Sequence, residues 1–282
     1  MSFDLYLSSE RSPLTEKQFE KYFSERDHYS IEGSQALYEN SDTGVYFYFE
    51  RDADNPGSIA FNLNYFRPHF FGLEAAPEVA EFIRTFDLSI YDPQAEGMED
   101  GPFSIEGFLD SWNAGNRFGY KAVLSSEHQP ETHVYPTKEL QHIWKWNFNR
   151  SRSQDEAGDD RFVPIIMFMN GNNKVQTLIV WPHACPIYMP KADSVLVIRK
   201  DSTADPDAED SDEYTLVEWS DIEPTITEFP YDEKRGCYSL DYDSPPWSLV
   251  NFVESLPLVP HDSLAGLPYD SVLNAELVSE FE

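Results

Sequence analysis

The sequence predicts an α+β fold of mostly antiparallel sheets packed against helices, and three observations carry that prediction. Between Leu37 and Leu88, Val45, Phe47 and Phe49 alternate with Tyr46, Tyr48 and Glu50. After Asn55-Pro56-Gly57 the alternation resumes as Ile59, Phe61, Leu63 and Tyr65 against Ala60, Asn62, Asn64 and Phe66. A period of two on both sides of a Pro-Gly turn indicates an antiparallel pair with one buried face. Helical-period stretches flank that pair. A segment from Ser125 to Pro136, stiffened by Pro130 and Pro136, then separates a second series of elements. The expected division is an α+β unit at 1–127 and another at 128–282, the latter with an acidic loop at 201–213.

Taken in order, Phe3, Leu5 and Leu7 alternate with Asp4, Tyr6 and Ser8 as a first strand. Ser12-Pro13-Leu14-Thr15 starts a helix whose Leu14, Phe19, Tyr22 and Phe23 share one face. Tyr29 to Asn40 reads as one weakly patterned strand, and Asn40 to Gly44 as the turn into the central pair. Arg67-Pro68 ends that pair. Pro77 suits the first turn of a helix through Val79, Phe82, Ile83 and Phe86, with Glu78 and Glu81 near its positive end. Leu88 and Ile90 form a strand, which gives the order β-α-β-β-β-α-β. Ser104 to Tyr120 suggests another helix, with Gly115 and Gly119 limiting its length as a C-cap.

In the second half, Leu140, Ile143, Trp144 and Phe148 approximate one face of an amphipathic helix. Val163, Ile165 and Met167 begin an apolar strand, Asn170-Gly171-Asn172-Asn173 is a hairpin turn, and Val175 to Trp181 returns. Val195 to Ile198 is a buried strand. Asp201 to Glu213 holds seven acids and no base, a solvated or disordered loop. Tyr214 to Trp219 re-enters a sheet, Tyr238 and Leu240 add an edge strand, and Pro245-Pro246-Trp247 opens a helix through Leu249, Phe252 and Val253. The tail wraps along the body or ends in a short helix near Val272 to Phe281.

Charge bounds the function more sharply than the elements do. The 282 residues carry a net charge of -31, placed as -14 over 1–127, +2 over 128–200 and -19 over 201–282. Such a field repels nucleic acid and anionic lipid and attracts basic partners. Cys185 and Cys237 show neither disulfide nor zinc-finger spacing. Asp4 and Glu10 stand where a leader would be basic, and no apolar run could cross a bilayer. A cytoplasmic protein is expected.

No GxSxG, HExxH, Walker or GxGxxG pattern is present. His183 and Cys185 would point to one face of a strand and could bring two ligands together, but no third or fourth ligand accompanies them. The constellation with a chemical reading is Asp42, Glu50, Asp52 and Asp54 around Tyr46 and Tyr48. Tyrosines supply amphipathic contact area there, and carboxylates accept guanidinium pairs. A strand made soluble by charge is the plain alternative.

Phe3-Asp4-Leu5-Tyr6, Tyr38-Glu39-Asn40, Asp42-Thr43-Gly44-Val45-Tyr46-Phe47, Asn64 to Pro68 and the Gly107 to Asn116 stretch resemble a group of uncharacterised bacterial proteins. The likeness covers about the first 125 residues and holds no catalytic signature. In its acidity and lack of motifs the chain is also similar to immunity proteins of bacterial toxin systems. That resemblance implies a non-enzymatic protein, without metal or cofactor, which neutralises a basic toxin domain by occluding its active site. No direct nucleic-acid or membrane binding is expected, and oligomeric state is open. The alternatives are an acidic nucleic-acid mimic that inhibits a DNA- or RNA-binding protein, and an enzyme of unfamiliar type near His183 and Cys185.

Overall fold

In the computed structural model, residues 1–9, 13–52, 55, 57–94, 97–98, 101–127, 130–171, 174–200, 212–257 and 265–281 are described. The first alternating run forms β1 (Ser2–Ser8). Thr15 opens α1 (Glu16–Ser24): the Gln18 amide donates to its hydroxyl oxygen, and its own amide donates to the Gln18 side chain. The stretch expected as one strand is a hairpin of β2 (Tyr29–Glu32) and β3 (Gln35–Asn40), because Gly33 takes a φ of 62° and reverses the chain. β4 (Val45–Arg51) and β5 (Ser58–Asn64) are the expected antiparallel pair, with Phe49 opposite Phe61.

α2 (Phe70–Phe86) corrects the next expectation, since it begins well before Pro77 and contains that residue. Pro77 is exposed, while Phe70, Phe71, Ala75 and Ala76 ahead of it are buried. Burial of two phenylalanines, worth about 2 kcal/mol or more each, outweighs the roughly 3 kcal/mol cost of an internal proline. Glu78 and Glu81 therefore lie away from the helix start, paired with Arg26 and Arg84. β6 (Ser89–Tyr91) follows, giving β-α-β-β-β-β-α-β.

α3 (Ile105–Leu124) is capped by the Ser104 hydroxyl, which accepts from the Gly107 amide. Gly115 and Gly119 do not end it. Both lie against Tyr65, whose ring and Cβ occupy the space that side chains there would need. β7 (His133–Tyr135) and α4 (Thr137–Phe148) come next; Leu140 and Ile143 are buried as expected, and Phe148 is exposed.

The first sheet runs β2-β3-β4-β5-β1-β6, antiparallel throughout. Phe3, Leu5, Phe47, Phe49 and Phe61 fill one face. Phe23 of α1 and Phe82 of α2 lie 5.1 and 5.0 Å from the Phe49 ring, and Phe108 of α3 lies 5.1 Å from Phe3. Three helices thus cover the same side of the sheet.

The chain continues through α5 (Arg150–Ala157) to β8 (Met167–Gly171) and β9 (Lys174–Pro182), the expected hairpin, with Gly171 facing Lys174. That strand starts at Met167 rather than Val163. Asn147 instead brackets Ile166, whose amide donates to the Asn147 side-chain oxygen while the Asn147 Nδ2 donates to the Ile166 carbonyl. β10 (Ile187–Pro190), β11 (Ser194–Lys200), β12 (Asp212–Glu218), α6 (Trp219–Ile226), β13 (Tyr231–Asp232), β14 (Cys237–Leu240), α7 (Trp247–Ser255) and β15 (Gly266–Leu267) follow. One sheet runs β12-β11-β9-β8-β15, with β9 and β11 parallel, and a smaller one runs β10-β14-β13. β14, expected at an edge, is therefore central. Of the acidic loop expected at 201–213, residues 201–211 lie outside the described residues, and Asp212 and Glu213 open β12.

β16 (Val272–Asn274) pairs parallel with β7, and α8 (Ala275–Val278) follows it. The chain divides into one unit of Met1–Gln141 with Tyr269–Glu282 and another of His142–Pro268. The boundary differs from the expected 127/128, and the C-terminal segment joins the first unit because β16 completes a sheet with β7. Among the described residues, no helix is long and apolar enough to cross a membrane.

Candidate functional site

Among the described residues, the side chains of the second face of the six-stranded sheet are half-buried to exposed. Ladder register sorts its side chains into rows. One row runs Glu32, Gln35, Glu50, Ala60, Tyr6 and Tyr91 across all six strands. The next runs Ser30, Leu37, Tyr48, Asn62 and Asp4 across five. Neither row contains a cation. Tyr6 is 45% and Tyr91 51% exposed, and their rings stack with centroids 6.3 Å apart. Asn62 donates to Asp4, fixing that carboxylate on the face. Burial raises the Tyr48 phenol above its usual pKa, and the charges of Glu50 and Asp4 add to the effect, so the hydroxyl stays protonated.

The sequence-predicted residues divide unevenly over this surface. Tyr48 and Glu50 stand in adjacent rows, and Asp52 is exposed just past the end of β4. Asp54 lies outside the described residues. Asp42 sits in the turn at the other end of β4, its amide donating to the Asn40 side chain; a seven-residue strand separates it from Asp52 by roughly 20 Å. Tyr46 shares the parity of Tyr48 and Glu50 and stands in a further row opposite Glu39, where its side chain is engaged. Its ring is edge-on to buried Phe71, and its hydroxyl accepts from the Arg67 guanidinium, which also pairs with Asp270. That side chain ties the C-terminal return to the sheet, and its half-burial has a structural cause. Asp4, Tyr6, Glu32 and Tyr91 complete the surface without having been singled out. The alternation of β1 was legible, but its adjacency to β5 and β6 is not a local property of the sequence.

Within the long row, Ala60 makes a notch. A depression of about 300 Å³ opens there, lined by Tyr6, Ser34, Glu50, Arg51, Asp52, Ser58 and Ala60. Arg51, which has the parity of buried Phe47 and Phe49, pairs its guanidinium with Glu16 at 3.1 Å. Among the described residues, none donates a hydrogen bond to the Glu50 carboxylate.

The pair expected on a strand, His183 and Cys185, lies instead in the turn between β9 and β10, where His183 and Ala184 take positive φ of 52° and 47°. The alternation argument that placed both side chains on one face does not apply there. The Cys185 carbonyl accepts from the Trp181 indole and the Tyr242 hydroxyl. Burial pushes the Cys185 thiol up, and it pushes Cys237 up to about 12, so both are thiols at neutral pH. No group of three or more metal-ligating side chains is found among the described residues. No protein family, curated protein or solved structure matches the chain.

Proposed function

We propose that this chain is an immunity-type binding protein whose open sheet face docks on a basic toxin domain and occludes its active site. The observation that supports the reading is the composition of the two face rows: Asp4, Glu32 and Glu50 interleave with Tyr6, Tyr48 and Tyr91, and no cation stands among them. Carboxylates steer a basic partner, and exposed tyrosines supply contact area at low entropic cost. A net charge of -31 extends the steering field beyond the face. Occlusion requires no chemistry from this chain.

The test is direct. Products of the genes flanking the one that encodes this chain are purified and titrated with it, and each complex is assayed for loss of toxic activity. The expected result is one tight, inhibitory complex that is weakened by Tyr6→Ala and Glu50→Lys. If no flanking product binds, the reading is rejected. A complex displaced by duplex DNA or RNA would replace it with the nucleic-acid mimic.

A further inference from the structure

We infer that the Ala60 notch is an arginine receptor, a slot in which a guanidinium from the basic partner lies between the Tyr6 ring and the Glu50 carboxylate. This deepens the reading above and rests on it for the identity of the partner, but not for the chemistry of the slot. Ala60 pairs with Tyr6 on one side and with Glu50 on the other. Neighbouring strands are about 4.8 Å apart, so the backbones carrying those two side chains stand about 10 Å apart with only a methyl group between them. A planar guanidinium needs about 4 Å to rest on an aromatic face and about 2.8 Å to reach a carboxylate oxygen, and that gap holds both contacts at once.

The rest of the lining selects for the same group. Asp52 places a second carboxylate at the rim, where its Oδ1 accepts from the Asn55 amide at 3.2 Å, and Ser34 and Ser58 add polar walls. The Tyr6 ring stacks on Tyr91, its neighbour on the side away from Ala60. An ammonium could pair with Glu50 but offers no flat surface to the ring and cannot bond a carboxylate in bidentate fashion, so arginine is favoured over lysine. Anions are disfavoured by the Glu50 and Asp52 carboxylates of the lining, whose Arg51 pairs with Glu16.

The experiment uses the full chain, labelled for amide NMR, and two probe peptides, Gly-Gly-Arg-Gly-Gly and Gly-Gly-Lys-Gly-Gly. Saturable shifts centred on Tyr6, Glu50 and Ala60 are expected with the arginine peptide, at an affinity about tenfold above that of the lysine peptide. Ala60→Leu, which fills the slot from a half-buried strand position, and Glu50→Gln are each expected to abolish that preference while leaving the rest of the spectrum in place. Equal shifts with both peptides, or shifts spread over all acidic surfaces, would overturn the slot. So would a dimer of the free chain that Ala60→Leu dissociates, because a second copy would then be the occupant. The two readings fail separately. Arginine-selective shifts without any binding flanking product leave the slot standing and remove the toxin reading; a toxin complex indifferent to Ala60→Leu does the reverse.

Discussion

At the scale of single residues, the first unit depends on polar groups that are buried and satisfied. Glu74 is 1% exposed, and its Oε1 accepts from the Tyr38 hydroxyl and the Asn40 amide, both at 2.8 Å, and from the Thr43 hydroxyl at 3.0 Å. Glu74→Ala orphans three donors, so a loss of about 3 kcal/mol or more in urea unfolding is expected, against roughly half of that for Glu74→Gln, which keeps an acceptor. His69 shows what burial does to a titratable group. Its backbone amide donates to the Asn274 side-chain oxygen, and the Asn274 amide nitrogen lies 2.9 Å from the Thr137 hydroxyl. Burial lowers the His69 pKa to about 4, opposed in part by its contact with Asn274 and the charge of Glu276. An imidazole with a depressed folded pKa binds its proton more readily in the unfolded chain. Its contribution is therefore fully present above pH 6.5 and is lost as pH falls from 6.5 toward 4, by up to about 3 kcal/mol. Protonation of many carboxylates relieves repulsion over part of the same range, so the informative measurement is the difference between the wild type and His69→Gln. Urea midpoints of the two should diverge between pH 6.5 and 4, the wild type falling relative to the variant; parallel curves would refute the assignment.

At the scale of elements, α3 packs through its small residues. Gly115 and Gly119 allow Tyr65 to lie flat against the helix, and a side chain at Gly115 meets the Tyr65 ring before anything else. Gly115→Ala would gain helix propensity in an isolated peptide, by about 1 kcal/mol, yet is expected to destabilise the protein by about 1–3 kcal/mol through overpacking. Tyr65→Leu should recover part of that loss in the double variant, and a cycle showing no coupling would contradict the packing argument. The same helix shows where sequence reading stops. Its apolar positions Phe108 and Trp112 were legible from period, but the glycines were read as a C-cap because the reason for them is Tyr65, about 50 residues away in the chain. Pro77 failed similarly: as a local signal it marks a helix start, and only the burial of Phe70 and Phe71 shows the helix already under way. The β4–β5 and β8–β9 pairings, whose partners are close in sequence, were legible, although β8 starts at Met167 rather than Val163. At the candidate site, Tyr48 and Glu50 follow from alternation, whereas Tyr6 and Tyr91 required the strand order, and the ties of Tyr46 to Arg67 and Asp270 are long-range.

At the scale of the whole molecule, 51 acidic residues against 20 basic ones impose opposite salt dependences on folding and on the proposed binding. Several ion pairs are too exposed to offset the imbalance: the side chains of Arg84 and Arg152 are 76% and 80% exposed, and solvent screens pairs of that kind. Unscreened repulsion among carboxylates therefore outweighs such pairs, and it opposes the compact state. Raising ionic strength shortens the Debye length from about 30 Å at 0.01 M to about 10 Å at 0.1 M, which removes long-range repulsion while leaving the aromatic core intact. The melting temperature of the free chain is accordingly expected to rise over that interval in sodium chloride. Association with a basic partner responds in the other direction, because steering decays with the same screening length, and its on-rate should fall about tenfold or more. Calorimetry of the free chain and stopped-flow mixing with the partner read the two effects separately. Glu32→Lys combined with Glu50→Lys reduces the negative charge by four, so the double variant should melt higher in low salt and associate more slowly. A variant that melts higher yet associates at the wild-type rate would show that charge elsewhere on the chain, rather than the open sheet face, governs encounter.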